Sequence, residues 1–293
     1  MHQSVTARSN RVRRALSQRH ARLHVPPGHV VWVYAITGSL APDQLAGLAG
    51  VGGEPIRAVT GVGLTAVVGS VEARTFGDQA RADLMSDLSS IERLARAHHQ
   101  VIACVAADGP VLPLRLGTIY PDDHTVRTLL GRSSAEFSVI LDSFRGTEEW
   151  GVKVYAGEED AASPYAAEEG MADEAVGRPD APSSPGDPAP GDGEPDGDLV
   201  KPMPASGHPE AFAEIVDRAL AGIAIASRHY APQDPRIDSS EKSLVLNAAY
   251  LVLSDRASEF TAVARALTRA HRGMGAGLTG PWPPYSFADV GPI

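Results

Sequence analysis

Residues 157–198 cannot build a core, so whatever this chain folds into must be assembled from the segments on either side. The stretch holds 13 Asp or Glu against one base, Arg178, with seven Pro, seven Gly and no Ile, Leu, Phe or Trp. Its apolar burial is too small to offset the entropy of ordering, which predicts a disordered acidic insertion, read as a solubilising spacer. Residues 1–24 have the opposite character: Arg8, Arg11, Arg13, Arg14, Arg19 and Arg22 without a single acid. That composition is shared by organellar presequences, but a solvated basic extension is the simpler reading. The formal net charge of −10 is therefore uneven. With both segments set aside, 19 bases face 23 acids, a mildly acidic body with no basic stripe for a nucleic acid.

At about 150 residues per domain, 293 residues suggest two compact units. Cys104 is the only cysteine, which excludes an internal disulfide framework or a Cys-rich zinc module. No run approaches the ~18 apolar residues of a membrane span; the longest, Leu244 to Leu253, contains Asn247. The first 24 residues have no apolar centre of the kind a signal peptide needs. A soluble, intracellular protein without a membrane span is expected.

Val30 to Ile36 is rich in β-branched and aromatic residues and stops at Thr37-Gly38-Ser39, which predicts a strand. Glu54–Thr60 and Leu64–Ser70 flank Gly61-Val62-Gly63 as a hairpin. From Asp78 to Ala106 the spacing becomes helical, with Leu84, Leu88, Ile91, Ala95, His98, Ile102 and Val105 as one face, ended by Asp108-Gly109-Pro110. Val111 to Ile119 reads as a strand that Pro113 confines to an edge or bulge. A second helix opens at Pro121-Asp122-Asp123 and carries Val126, Leu129, Leu130, Phe137, Ile140, Leu141 and Phe144. Trp150–Tyr155 is a further strand. Beyond the insertion come a helix bearing Phe212, Ile215, Val216, Leu220 and Ile223, a buried strand Leu244–Leu253, and a helix Asp255–Arg272. Interleaved elements with a hairpin and no fixed βα period favour α+β over a doubly wound parallel sheet.

Several chemistries find no motif. There is no P-loop, no G-x-S-x-G elbow and no H-E-x-x-H pair, and Gly47–Gly53 reads as a loop rather than a dinucleotide fingerprint. His98 and His99 diverge by about 100° on a helix and do not share one ion easily, so no metal is expected; His98 reads as a hydrogen-bonded core or boundary residue. Cys104 reads as a small filler, and Glu148-Glu149 as a solvated turn ahead of a strand. No cofactor and no enzymatic activity are expected.

The C-terminal Gly280-Pro-Trp-Pro-Pro-Tyr-Ser-Phe287 is the most distinctive segment. Pro281, Pro283 and Pro284 hold it near polyproline geometry, while Trp282, Tyr285 and Phe287 supply apolar faces that a free tail would leave wet. Docking onto its own fold is the expected outcome.

These pieces resemble the gas vesicle accessory proteins of the GvpF/GvpL family, over roughly residues 30–156 and 206–289. The resemblance is carried by Val31-Trp-Val-Tyr-Ala-Ile36, Leu64-Thr-Ala-Val-Val-Gly-Ser70, His98-His-Gln-Val-Ile102 and Val111-Leu-Pro-Leu-Arg-Leu-Gly-Thr118. Glu149-Trp-Gly-Val-Lys-Val-Tyr155, Leu246-Asn-Ala-Ala-Tyr-Leu-Val252 and the tail complete an ordered set. It implies two α+β domains, the second like a modified ferredoxin-like fold, with the tail packed back on the body. The corresponding division is a basic extension 1–27, an N-terminal domain 28–150, a C-terminal domain 151–157 and 199–277, the insertion 158–198, and a tail 278–293. It also implies a non-enzymatic, cytoplasmic, vesicle-associated role, contacting the small hydrophobic shell subunit and other accessory proteins. The basic extension and the acidic insertion depart from the family pattern, and 23 Arg against three Lys suggest a high-GC bacterial coding bias.

With that role in view, Arg115 on a half-buried strand needs a partner, and Glu149 is the expected one. The residues expected to matter for structure or interaction are Arg115, Glu149, Trp150, Trp282, Pro283, Pro284, Tyr285 and Phe287. Lys153 alternates with Val152 and Val154 and should face solvent. The surfaces that would meet a partner are the edge from Val111 to Leu116 and the groove beside the tail aromatics. The competing reading is a small-molecule or anion-binding α+β protein using Arg115, Gly117 and Thr118.

Overall fold

The computed structural model describes residues 25–41, 43–77, 86–156, 209–231, 243–270 and 274–289. Residues 1–24 and the acidic insertion 158–198 lie outside the described residues, whereas Val25, assigned to the extension 1–27 from the sequence, packs against the core of the first sheet. Nine strands form two antiparallel sheets among them, as expected of an α+β chain.

The first sheet is centred on β1 (His29–Thr37), which is flanked on one side by β3 (Leu64–Glu72) and then β2 (Ile56–Gly61). On its other side lie β4 (Val111–Pro113) and β5 (Ile119–Tyr120). The apolar run of β1 is buried without interruption from Val31 to Thr37 because both faces of the strand are covered. One face packs Val31, Val33, Ile36, Val59, Ala66 and Val68 against α3 (Asp123–Arg132) and α4 (Ser134–Ser143). The other packs Trp32, Tyr34, Ile56 and Val67 against α2 (Leu88–Ala106), with Phe76 of the short α1 (Ala73–Phe76) closing the side. Arg57 on β2 makes a bidentate pair with Asp123 at 2.7 and 2.9 Å, tying that edge strand to the start of α3.

The second sheet has the order β7 (Ala226–His229), β8 (Ser243–Leu253), β6 (Thr147–Ala156), β9 (Met274–Trp282). With α5 (Pro209–Ala221) between β6 and β7 and α6 (Ala257–Ala270) between β8 and β9, the sequence of elements is βαββαβ, the ferredoxin-like arrangement. Val152, Val154, Leu246, Tyr250 and Val252 face Phe212, Val216, Leu220 and Phe260 of the two helices. The alternate residue Leu251 belongs instead to the core beneath α3 and α4, so β8 joins the two sheets through opposite faces.

Several sequence expectations are corrected. The Val111–Ile119 strand is two strands, separated by a turn in which Thr118 N–H and Oγ–H both donate to the Arg115 carbonyl. The second helix breaks at Ser133 into α3 and α4. The first long helix is described from Leu88, capped by Asp87 accepting from Ser90 N–H, and residues 78–85 lie outside the described residues. Its buried face is Leu94, His98, Val101, Ile102 and Val105, whereas Leu88 and Ala95 are exposed. Cys104 is exposed on that helix, so it is not a core filler. Glu148 and Glu149 lie inside β6 rather than in a turn. Two strands, β7 and β9, were not expected at all.

The β2–β3 hairpin closes with Gly61 opposite Leu64, leaving Val62 and Gly63 as a two-residue turn with φ of 50° and 78°. Left-handed geometry crowds a β-branched side chain, and Asn or Gly is the usual occupant. Val62 is also 63% exposed, so it gains little from packing. Val62→Asn is expected to raise stability by about 1 kcal/mol. An unchanged or lowered melting temperature would contradict the strained turn.

Candidate functional site

The residues singled out in the tail converge on one feature, a C-terminal strap that leaves the second sheet and crosses to the first. β9 runs along β6 from Met274, opposite Ala156, to Trp282, opposite Glu149. The polyproline expectation for Gly280–Trp282 is thus corrected, since these residues continue the strand irregularly, the register shifting between Glu149 and Gly151. Gly280 has φ 133°, and a Cβ there would lie 2.8 Å from the Glu149 carbonyl oxygen. Only glycine lets the strand approach β6 so closely at this point. Pro283 and Pro284 follow, with Pro284 buried, and then a single 3-10 turn, Tyr285–Phe287.

Each strap residue after the prolines has its own seat on the body. Tyr285 packs among the residues under α2 and bonds His99 Nδ1 through its hydroxyl at 2.9 Å. Burial lowers the His99 pKa, and burial with the Glu149 charge raises that of Tyr285. The phenol is therefore the donor and the neutral imidazole the acceptor. Ser286 donates its N–H to Glu149 Oε2 at 2.7 Å and its Oγ–H to Oε1 at 2.5 Å. Phe287 and Ala288 lie against the core that holds Phe137, Leu141 and Leu251. Asp289 closes the strap, its Oδ2 at 2.7 Å from Arg228 of β7 and its Oδ1 at 3.5 Å from Arg115. The Arg228 guanidinium holds the Asp289 carboxyl below the usual carboxylate range.

Glu149 is only 6% exposed. Burial pushes its pKa up against the opposing pull of the two Ser286 hydrogen bonds. The expected Arg115–Glu149 pair does not form. Arg115 stands on the turn after β4 with its side chain 83% exposed and meets Asp289. The reason is topological: β4 ends at Pro113, so Arg115 never enters the sheet. Trp150 packs beside the second core, its ring 6.4 Å from Phe260, and donates its indole N–H to Glu148 at 2.8 Å. Trp282 is 37% exposed and meets the His99 ring edge-on at 5.2 Å. Lys153 is half-buried on the face opposite Val152 and Val154.

His98 fulfils the core reading. It is buried, accepts the Trp32 indole N–H on Nδ1 at 3.1 Å, and donates from Nε2 to the Leu114 carbonyl at 3.0 Å. Burial lowers its pKa to about 4. Sequence reasoning missed Ser286, Asp289, His99 and Arg228 as strap contacts; Ser286 and Asp289 were within reach because they continue the tail motif. Among the described residues no group of three His, Cys, Asp or Glu side chains is placed to hold a metal, and no helix is long and apolar enough to cross a membrane.

The fold and its fastening define an α+β protein of two antiparallel sheets, closed across both by its own C-terminal segment. The chain belongs to the gas vesicle synthesis protein GvpL/GvpF family, whose model matches residues 30–289. It is 34% identical over 265 residues to gas vesicle protein L of Streptomyces sp. (strain CB03234), covering 88% of this chain and 92% of that one. It is 27% identical over 261 residues to gas vesicle protein F of the same strain, covering 88% and 99%. The crystal structure of the gas vesicle protein GvpF from Anabaena sp. PCC7120 has the same fold, with a TM-score of 0.60 at 16% identity, covering 90% of this chain and 97% of that one. An accessory role in gas vesicles follows from the family.

Proposed function

We propose that this chain is a non-enzymatic, cytoplasmic accessory protein that binds the small hydrophobic shell subunit of gas vesicles, and other accessory proteins, during nucleation or growth. A shell subunit that lines a gas space is aggregation-prone until it is incorporated. A partner that covers its apolar surface with modest affinity and then releases it needs an exposed apolar anchor and an accessible strand edge. The observation that carries this reading is Trp282, an indole 37% exposed at the end of the outermost strand of its sheet. Tryptophan is among the residue types enriched at the few positions that dominate an interface.

The test is capture of the shell subunit by immobilised full-length protein. Trp282→Ala should weaken capture about tenfold, in the range of one interface anchor, while leaving the melting temperature within a few degrees. Absence of capture by well-folded full-length protein contradicts the reading.

A further inference from the structure

The two outer edges of the second sheet differ in kind. β7 closes one side with four residues, among them Arg228, paired with Asp289, and His229, bonded to Asp217. A short edge bearing charged or polar side chains is a common guard against pairing with another chain. β9 closes the other side with nine residues, Met274–Trp282, and none of them is ionisable. Pro281 interrupts that edge only near its end, so between Met274 and Gly280 alternate N–H and C=O groups point away from β6. Among the described residues no strand pairs with this outer edge.

The apolar layer behind the edge is unfinished. Val152 and Val154 of β6 are 3% and 0% exposed, yet Leu278 and Ala276, opposite them in the ladder, are only half-buried. Met274 continues that row, and Val263 and Leu267 of α6, also half-buried, pack on the same core. One more strand beside β9 would pair the open backbone groups and cover this row in the same step. The edge also selects its occupant. A helix has its backbone groups already paired along its length, and a charged segment would give up hydration with no opposite charge along β9 to meet it. What matches is an extended segment without charge, apolar at alternate positions.

We propose that the outer edge of β9 binds its partner by strand addition: an extended, uncharged segment of the shell subunit pairs with Met274–Gly280 and lays alternate apolar side chains over Met274, Ala276 and Leu278. The proposal rests on the shell-subunit reading above, and it makes Trp282 the end of a longer contact rather than a lone anchor.

Gly275 allows the edge to be altered without harming the fold. A Cβ there would meet only the Tyr155 Cβ, at 3.9 Å, and its φ is not left-handed. Gly275→Lys places a charge on the edge and should weaken capture of the shell subunit by the full-length protein about tenfold, at unchanged melting temperature. Gly275→Thr, uncharged and strand-favouring, should keep capture. Amide exchange locates the contact: the bound shell subunit should slow the outward amides of β9 about tenfold and leave those of β7 unchanged.

Capture that survives Gly275→Lys, with the β9 amides unprotected, overturns the edge pairing while leaving the shell-subunit reading intact. Equal loss in the Thr and Lys variants overturns it too, because the contact then lies on the face of the sheet. Outward β9 amides already protected in the protein alone do the same, the edge then being covered by its own chain or by a second copy. No capture by the well-folded wild type removes the shell-subunit reading and the proposal with it.

Discussion

Glu149→Ala should cost about 2–3 kcal/mol of folding stability, because two hydrogen bonds to a carboxylate are lost and the Ser286 N–H and Oγ–H are left without their acceptor. The same change should free the strap, exposing the seats of Tyr285 and Phe287. Glu149→Gln keeps the shape and one carbonyl acceptor, and should stay within about 1 kcal/mol of the wild type at neutral pH. Burial raises the Glu149 pKa, so its folded form takes a proton more readily than its unfolded form. Its contribution is therefore fully present below the unfolded value of about 4.5 and diminishes as the pH rises through the raised pKa. Glu149→Gln removes that segment of the pH profile. Chemical denaturation of the three proteins at pH 4 to 8 checks both statements, and an Ala variant as stable as the wild type would show that Ser286 is not the fastening.

His98 produces the larger dependence, with the opposite sign. Its folded pKa is depressed to about 4 by burial between Trp32 and Leu114. The stability it contributes is present above the unfolded value near 6.5 and is lost as the pH falls through 4. A shift of that size corresponds to about 3 kcal/mol. Protonation also puts a proton on Nδ1, the atom that accepts from the Trp32 indole, so the buried contact becomes donor against donor. His98→Gln cannot be charged. It should lose about 1–2 kcal/mol at pH 7 through poorer geometry while shedding most of the acid slope between pH 6.5 and 4. A variant with an unchanged slope would place the acid sensitivity elsewhere.

The opposed signs of His98 and Glu149 explain why the two variants must be compared separately. One histidine disfavours acid, one carboxylate favours it, and the wild-type profile is their difference together with the exposed carboxylates. Asp122 and Asp289 belong to that last group and have lowered pKa values, the first from capping α3, the second from Arg228.

Much of the fold is written locally. β1 is legible because a run of Val, Ile, Trp and Tyr has only one use when both of its faces are covered, and β3 and β8 are legible for the same reason. His98 is legible because its position on an apolar helix face demands hydrogen-bond partners. β7 is not: Ala-Ser-Arg-His is short, largely exposed and poor in β-branched residues, and it becomes a strand only because β8 offers it an edge. β9 hides behind Gly, Ala and Pro, residues that local preference depletes from strands, although its backbone pairs with β6 from Met274 to Thr279 and again at Trp282.

Within the candidate site the difference between near and far is sharper. Tyr285 and Phe287 could be expected to dock, since aromatics held by prolines rarely remain in water. The burial of Glu149 could not, because its partner lies 137 residues further along the chain. Arg115 illustrates the reverse error. A regular alternation assigns it to a strand, but the chain turns at Gly117, where φ is 83°, and the side chain swings to the surface and meets Asp289.

The measurement that tests the strap most directly is amide hydrogen exchange on the intact free protein. If the strap is a fastened part of the body, the Ser286 amide, donating to a buried carboxylate, should be protected at least a hundredfold, about the effect of 3 kcal/mol of closure. The Glu149→Ala variant should lose that protection while β1 and β8 keep theirs. Exchange of the Ser286 amide at the rate of an open chain in the wild type would contradict the account, leaving Tyr285 and Phe287 as a free tail rather than a clasp between the two sheets.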